Sequence, residues 1–552
     1  MATSSSSQDA VSAAHQLDSG VELTARKSGQ FGINEVIEQS SSASDSGDYT
    51  EHGADATNST KADRYNMDRM GKQQVLTRHF RPMATFSFVA MATSVWEFGI
   101  FSINQGLIDG GRAGLFWSTI IHAVGFIPIV LSMAEMSSIA PTAGAQYHWV
   151  SEFAHPKWQK LLSFYTGWIS TIAWQAGNAI GVFLTGTLIQ TIILENNNDY
   201  AFPAWHGSLL VMSNIVFTVA ANILFSRFIP RVQTAFFVLH ILAFFAVLVP
   251  ICVNAPKASA ASVFTEFENT GGWSSMGLAL LAGQLSAIYM MCGTDTSAHI
   301  AEEVRNASTT VPRSMIAIYF VNMAFTIVCW LVLCFAMPDV GLALEHISTY
   351  PFVHILEQSM SIKWVTVELV LIVVIVLFAN VCYITAVSRD LFAFARDNGL
   401  PFSSWICKIH PKYQAPVNAI YVTALFSFLL SLIYIGSETA FYAITSLFTV
   451  ALLQCYMFSI GSILWRRIRL PETIPDSAFG LGRWGIPINA FAFVWCLWSF
   501  FWSFWPQATP TPAEEFNWAS VIFLGVIVVA AIYYYFQGHK TYHGPVVLVK
   551  RI

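Results

Sequence analysis

The sequence predicts an all-α polytopic membrane protein. Of its 552 residues 55% are hydrophobic and only 11% are charged, where ordinary soluble chains carry about 25% charge. From Pro82 onward twelve apolar segments recur, each near the ~20 residues a helix needs to cross the ~30 Å hydrocarbon layer. The net charge of -5 is small and the basic residues are scattered. No electrostatic footprint for nucleic acid exists, and that partner is set aside.

Residues 1–80 are rich in Ser, Ala, Asp, Gly and Thr. With so little apolar surface to offset the entropy of ordering, they are expected to form a disordered tail. The twelve spans then occupy residues 81–538, with centres near Trp96, Gly125, Ala176, Phe217, Phe244, Tyr289, Phe325, Val374, Phe426, Leu452, Trp495 and Ile527, and residues 539–552 form a short second tail. Seven of the eight cysteines lie inside apolar stretches and Cys407 lies in a polar loop, a pattern without disulfide or metal-ligand spacing. No metal or cofactor is expected.

Charge gives the orientation. Of the 28 Lys and Arg residues, fourteen fall in the loops after spans two, four, six, eight and ten, and only Arg112, Lys257 and Lys363 fall in the opposite loops. By the positive-inside rule both termini are expected in the cytoplasm, which an even span count also requires.

Two spans look broken. The first reads "FSFVAMATSVWEFGIFSINQG", with Glu97 and Gly99 near its centre, and the sixth runs through Gly293, Thr294 and Asp295. A bilayer tolerates a broken helix only where the freed backbone lines a cavity or binds something. Broken spans at positions one and six are what two inverted five-span repeats bring face to face around a midplane site. Mid-membrane carboxyls cost about 2.5–3.5 kcal/mol on insertion scales, so Glu97 and Asp295 are the leading polar candidates; the alternative for each is a cap on an orphan amide. Glu97 is read as a counter-ion for a substrate ammonium or as a protonation site. Trp96 and Phe98 flank it and suit a cation, and the half-helix ends offer amides to a carboxylate. In span three, Gly177, Gly181 and Thr185 recur every four residues and are read as helix packing. His122 and His240, each alone in an apolar segment, are read as structural. Asn380 and Tyr383 are possible pathway residues whose orientation periodicity does not give.

Three motifs carry a resemblance: "MAEMSSIAPTAGAQYHWVSEFA" over 133–154, "GWSS" followed by "GTDTSAHIAEEVRNASTTVPR" over 293–313, and "SRDLFAFARDNGLP" over 388–401. They resemble the fungal amino acid/choline permeases of the amino acid-polyamine-organocation superfamily, over nearly all of the chain beyond the tail. The resemblance implies a leucine-transporter-like fold of 5+5 inverted repeats with spans one and six unwound, two further spans, and alternating access. It puts substrate binding near Ser94, Trp96, Glu97, Phe98 and Gly99 and near Cys292, Gly293, Thr294 and Asp295. It also makes Glu302, Glu303, Arg305, Arg389, Arg396 and Asp397 cytoplasmic gating residues that exchange ion pairs. Two departures stand out: Gly144-Ala145 replaces the usual Gly-Gly, and Arg112 replaces Pro after Gly110-Gly111, where it repels cations or pairs with Asp109.

The expected function is secondary active transport of a small amino acid, choline, 4-aminobutyrate or a related amine, coupled to protons, in the plasma membrane or alternatively the vacuolar membrane. Export or sequestration of a small nitrogenous metabolite is a second reading, and a nutrient receptor that only signals is a third. No nucleophile, base and orienting group can be assembled from the spans, so an enzyme is not expected. Broken helices suggest an occluded site, unlike the carbonyl rings of a channel.

Overall fold

A computed structural model describes residues 57–545, apart from 198, 227, 347, 349, 437–439 and 512–515. Eleven of its helices are long and apolar enough to cross a membrane, and the shorter apolar helix Val417–Ile433 supplies the ninth of twelve spans. Exposed apolar side chains such as Val216, Phe225, Val253, Phe501 and Val528 cover the outside, as a lipid solvent requires.

The spans are not equally buried. The first has 83% of its apolar window inside the protein, the twelfth only 17%. Spans one, three (Gln159–Asn196), six, eight (Ile362–Arg396) and ten (Ala440–Arg469) form the interior. Their packing has an inverted symmetry. Span five (Ile229–Asn254) lies against spans one and eight, and its counterpart, span ten, lies against spans six and three. Spans two and seven pack on each other, as do three and eight and four and nine. These are the pairings of a leucine-transporter-like 5+5 repeat, in which span n and span n+5 exchange places.

Both expected breaks are present. Span one consists of Pro82–Thr93, Val95–Gly99 and Asn104–Ile108, and Ser94 between the first two pieces has left-handed backbone with φ 36°. Span six consists of Met276–Gly283, Leu285–Met291 and Thr296–His299, with Gly293 at φ 91° in the gap. The two spans run in opposite directions, so Pro82–Thr93 packs on Thr296–His299 while Asn104–Ile108 packs on Leu285–Met291.

The disordered tail expected over residues 1–80 needs correction at its end. Residues 1–56 lie outside the described residues, but 57–80 are ordered against the bundle. Lys61–Arg69 is a helix started by a capping box in which Thr60 and Asp63 bond each other's backbone amides. Composition missed it because this segment's stability comes from partners on the bundle. Asp63 accepts bonds from the Asn306 and Ala307 amides, both at 3.0 Å, and Phe80 pairs in parallel with Val304. At the other end, Tyr542 is buried with its hydroxyl 2.5 Å from Ser163 Oγ, so order extends past the expected boundary at 539. We call the side of the bundle that carries residues 57–80 the tail side.

Candidate functional site

A small cavity lies where the breaks meet. Span one contributes Ala92, Thr93, Val95 and Phe98; span six contributes Tyr289, Met290, Cys292 and Gly293; and spans three, eight and ten add Gly177, Gly181, Asn380, Tyr383 and Phe448. Gly177 and Gly181 let the third and eighth spans close on each other. A Cβ on Gly177 would stand 2.1 Å from the Tyr383 hydroxyl, and one on Gly181 2.2 Å from Asn380 Oδ1. Asn380 Nδ2 in turn donates to Gly181 O at 3.1 Å and Thr185 Oγ1 at 2.8 Å. The packing read from the small-residue spacing is thus also the cavity wall. The lining is mostly aromatic and small, with Thr93, Tyr289, Asn380 and Tyr383 as polar groups and no charged side chain. The Tyr383 hydroxyl has no hydrogen-bond partner among the described residues.

Beside the cavity, Asp295 closes a hydrogen-bonded cluster. Its Oδ1 accepts from the Tyr456 hydroxyl and its Oδ2 from Gln146 Nε2, both at 2.5 Å. The Tyr456 oxygen also accepts the Gly293 amide at 3.2 Å, so the gap in span six is held from span ten. His299 lies one turn on, with Nε2 3.8 Å from Asp295 Oδ2. Its Nδ1 donates to Ala143 O at 2.9 Å, since a carbonyl only accepts. Asp390 continues the cluster, 3.5 Å from His299 Nδ1 and 3.0 Å from Ser170 Oγ.

Glu97 faces the other way. It points behind span one to His240 on span five, with Oε1 2.6 Å from Nδ1, and both residues are fully buried (0% and 1% exposed). Trp96 Nε1 donates to the same Nδ1 at 3.2 Å. Glu97 Oε2 and His240 Nε2 have no hydrogen-bond partner among the described residues.

The tail side is closed by ion pairs. Arg396 grips Glu302 with both terminal nitrogens, at 2.7 and 2.8 Å, while Thr142 Oγ1 and the Ala143 amide donate to the same carboxylate. Burial alone would raise the Glu302 carboxyl, and the Arg396 guanidinium reverses this, holding it well below the usual carboxylate range. Arg389 Nε donates to Glu303 at 2.8 Å. Asp397 binds Lys72 Nζ and the Tyr147 hydroxyl, both at 2.9 Å; burial opposes its ionisation, and Lys72 and Arg396 hold it below its ordinary value. Arg69 donates to Glu152 at 2.6 Å. Against burial, His148 and Arg69 hold that carboxyl down to about 2.

The expected residues therefore fall into three groups. Phe98, Cys292 and Gly293 line the cavity. Ser94, Gly99, Thr294 and Asp295 belong to the breaks or their supports, and Trp96 and Glu97 turn to span five. Of the expected gate, Glu302, Glu303, Arg389, Arg396 and Asp397 are paired, while Arg305 engages through its amide, which donates to Phe80 O. Arg112 does not pair with Asp109. It donates to the carbonyls of Met337 and Pro338 and lies 3.7 Å from Glu268, while Asp109 accepts from Trp273 Nε1 at 2.9 Å. Sequence reasoning missed Lys72, Arg69, Gln146, Tyr456 and His299; His240, read as structural, is buried and hydrogen-bonded to Glu97, a partner the reading did not name. For His240 a signal existed: inverted repeats pack span five on span one, which puts a mid-span histidine opposite a mid-span acid.

A model of the amino acid permease family matches residues 83–530. Amino-acid permease 2 of Neurospora crassa is 26% identical over 89% of this chain and 90% of its own length. Amino-acid permease BAT1 of Arabidopsis thaliana is 27% identical over 87% and 95%, and a choline transporter of Saccharomyces cerevisiae 24% identical over 82% and 80%. Among solved structures, a manganese transporter of Eremococcus coleocola matches 85% of this chain and 93% of its own with a TM-score of 0.49 and 13% identity. With its family model spanning both broken helices and the cavity between them, the chain belongs to the amino acid permease family and is a membrane transporter.

Proposed function

We propose that the protein carries a small amino acid, choline, 4-aminobutyrate or a related amine through the cavity by alternating access, coupled to protons. The observation that carries this reading is the cavity itself, bounded by both helix breaks and by spans three, eight and ten. Phe98, Tyr289, Tyr383 and Phe448 offer ring faces to an ammonium group. The amine-directed names of the relatives agree with a lining of this kind. The distribution of Lys and Arg among the loops supports a tail side in the cytoplasm, with both termini there, and the plasma membrane is the proposed location.

Alternating access needs a barrier on each side of the solute. On the tail side stand the ion pairs from Glu302 to Asp397. On the other side Tyr289 and Phe448 meet edge to face at 5.7 Å, and beyond them lies a second, smaller space lined by residues including Gln105, Leu285, Tyr442 and Trp505. This arrangement suits an occluded state with a thick barrier toward the tail side and a thin aromatic one opposite.

The test is uptake of radiolabelled alanine, 4-aminobutyrate and choline by cells lacking their own permeases. Saturable uptake of at least one, lost on replacing Gly293 by Val with surface expression retained, is expected. Equal uptake by the variant would remove the cavity from the pathway.

A further inference from the structure

We propose that the Glu97–His240 pair, seated behind span one and outside the solute cavity, takes up and releases the coupled proton. This rests on the transport reading above and adds to it the site of coupling. The geometry limits the pair to few states. An indole N–H only donates, and an imidazole nitrogen has one in-plane lone pair. Nδ1 therefore accepts either from Trp96 Nε1 at 3.2 Å or from a protonated Glu97 Oε1 at 2.6 Å, and the much shorter contact assigns the lone pair of the loaded pair to the Glu97 proton, with the second imidazole hydrogen on Nε2. When the pair releases a proton, it leaves from His240 Nε2 while the Glu97 proton passes to Nδ1, which then donates to the ionised carboxylate. The loaded pair has net charge 0 and the unloaded pair -1, with the proton drawn from the solution on one side and returned on the other. Glu97 stands three residues beyond the left-handed Ser94, so each gain or loss of charge falls at the joint of span one.

The surroundings favour this pair over other buried acids. Span five presents Phe237 and Phe244 and span seven Phe325 around the imidazole and indole, and Cys329 of span seven lies within electrostatic reach of Glu97. No other charged or titratable side chain is recorded facing the pair among the described residues, so a -1 state has no counter-charge and stays costly. Asp295, by contrast, has both oxygens occupied. Glu302, Asp397 and Glu152 are held ionised by their cations.

The experiment uses the full chain in proteoliposomes, with whichever of radiolabelled alanine, 4-aminobutyrate and choline the wild type exchanges fastest. Glu97→Gln and His240→Gln should keep counterflow exchange within about threefold of wild type and lose at least tenfold of the accumulation driven by an inward proton gradient. Infrared pH titration of the purified protein in D2O should show a carboxylic acid band that Glu97→Gln removes and His240→Gln shifts. Full gradient-driven accumulation in Glu97→Gln, with the band unchanged, would overturn the proposal and direct coupling to Asp295 or Asp390 while transport stands. A wild type that exchanges solute but ignores the gradient would overturn proton coupling and this site together. If Glu97→Gln does not survive purification, the band decides through His240→Gln: an unshifted band overturns the proposal.

Discussion

At the span-six break the carboxylate of Asp295 accepts a hydrogen bond on each oxygen and Gly293 is tied to Tyr456. At the span-one break Glu97 has one partnered oxygen and Ser94 takes a left-handed conformation without being glycine. Both breaks open backbone toward one cavity, but the acid of one is bonded on both oxygens from neighbouring spans and the acid of the other on a single oxygen. The difference separates a support from a moving part. Substitutions at the fastened break should mainly cost stability, and those at the other mainly coupling.

The scale for a fully fastened group is set on the tail side. Arg396→Ala leaves Glu302 buried without its bidentate partner and should destabilise the protein by about 3–5 kcal/mol, read as thermal unfolding of the detergent-solubilised chain. At the breaks, Asp295→Ala should cost about 3 kcal/mol in the same assay and Glu97→Ala about half of that, since the first loses two hydrogen bonds and the second one. Equal losses would erase the distinction. Gly293→Ala should cost about 1–2 kcal/mol through its backbone alone, because an added Cβ meets nothing closer than Thr93 Cγ2 at 3.9 Å. Ser94→Gly should be neutral or slightly stabilising. A small effect is also expected at Ala145, which holds φ 37° where relatives of this fold are expected to carry glycine; Ala145→Gly should raise stability by about 1 kcal/mol.

Asp109 supplies a pH test away from both breaks. Burial pushes its carboxyl up to about 8, against the bond from Trp273. A raised carboxyl favours the folded state while protonated, so its contribution is complete below the ordinary Asp range and is lost as pH rises through about 8. Unfolding temperature should fall over that interval in the wild type and fall less in Asp109→Asn.

The spans were legible because bilayer thickness imposes a length that hydropathy registers, and the breaks because Gly and acid residues interrupt otherwise apolar runs. Which way a side chain faces was not legible. Successive helical residues turn by about 100°, so Phe98 enters the cavity while Glu97 beside it points to span five. The break at Ser94 also resets the helical phase, which removes periodicity as a guide. Asn380, Tyr383 and Phe448 sit in spans whose apolar pattern is nearly uniform, and only packing selects their faces. Lys72 and Arg69 were hidden by composition, since their partners Asp397 and Glu152 are about 80 residues or more away in sequence.

The central claim is that solute occupies the cavity between the breaks, and Cys292 reports on it directly because this native thiol lines the wall. In a variant whose other cysteines are replaced, a small methanethiosulfonate reagent should modify Cys292, and a transported solute at about ten times its KM should slow the reaction about tenfold, with half-protection near KM. A modification rate unchanged by saturating solute would contradict the account.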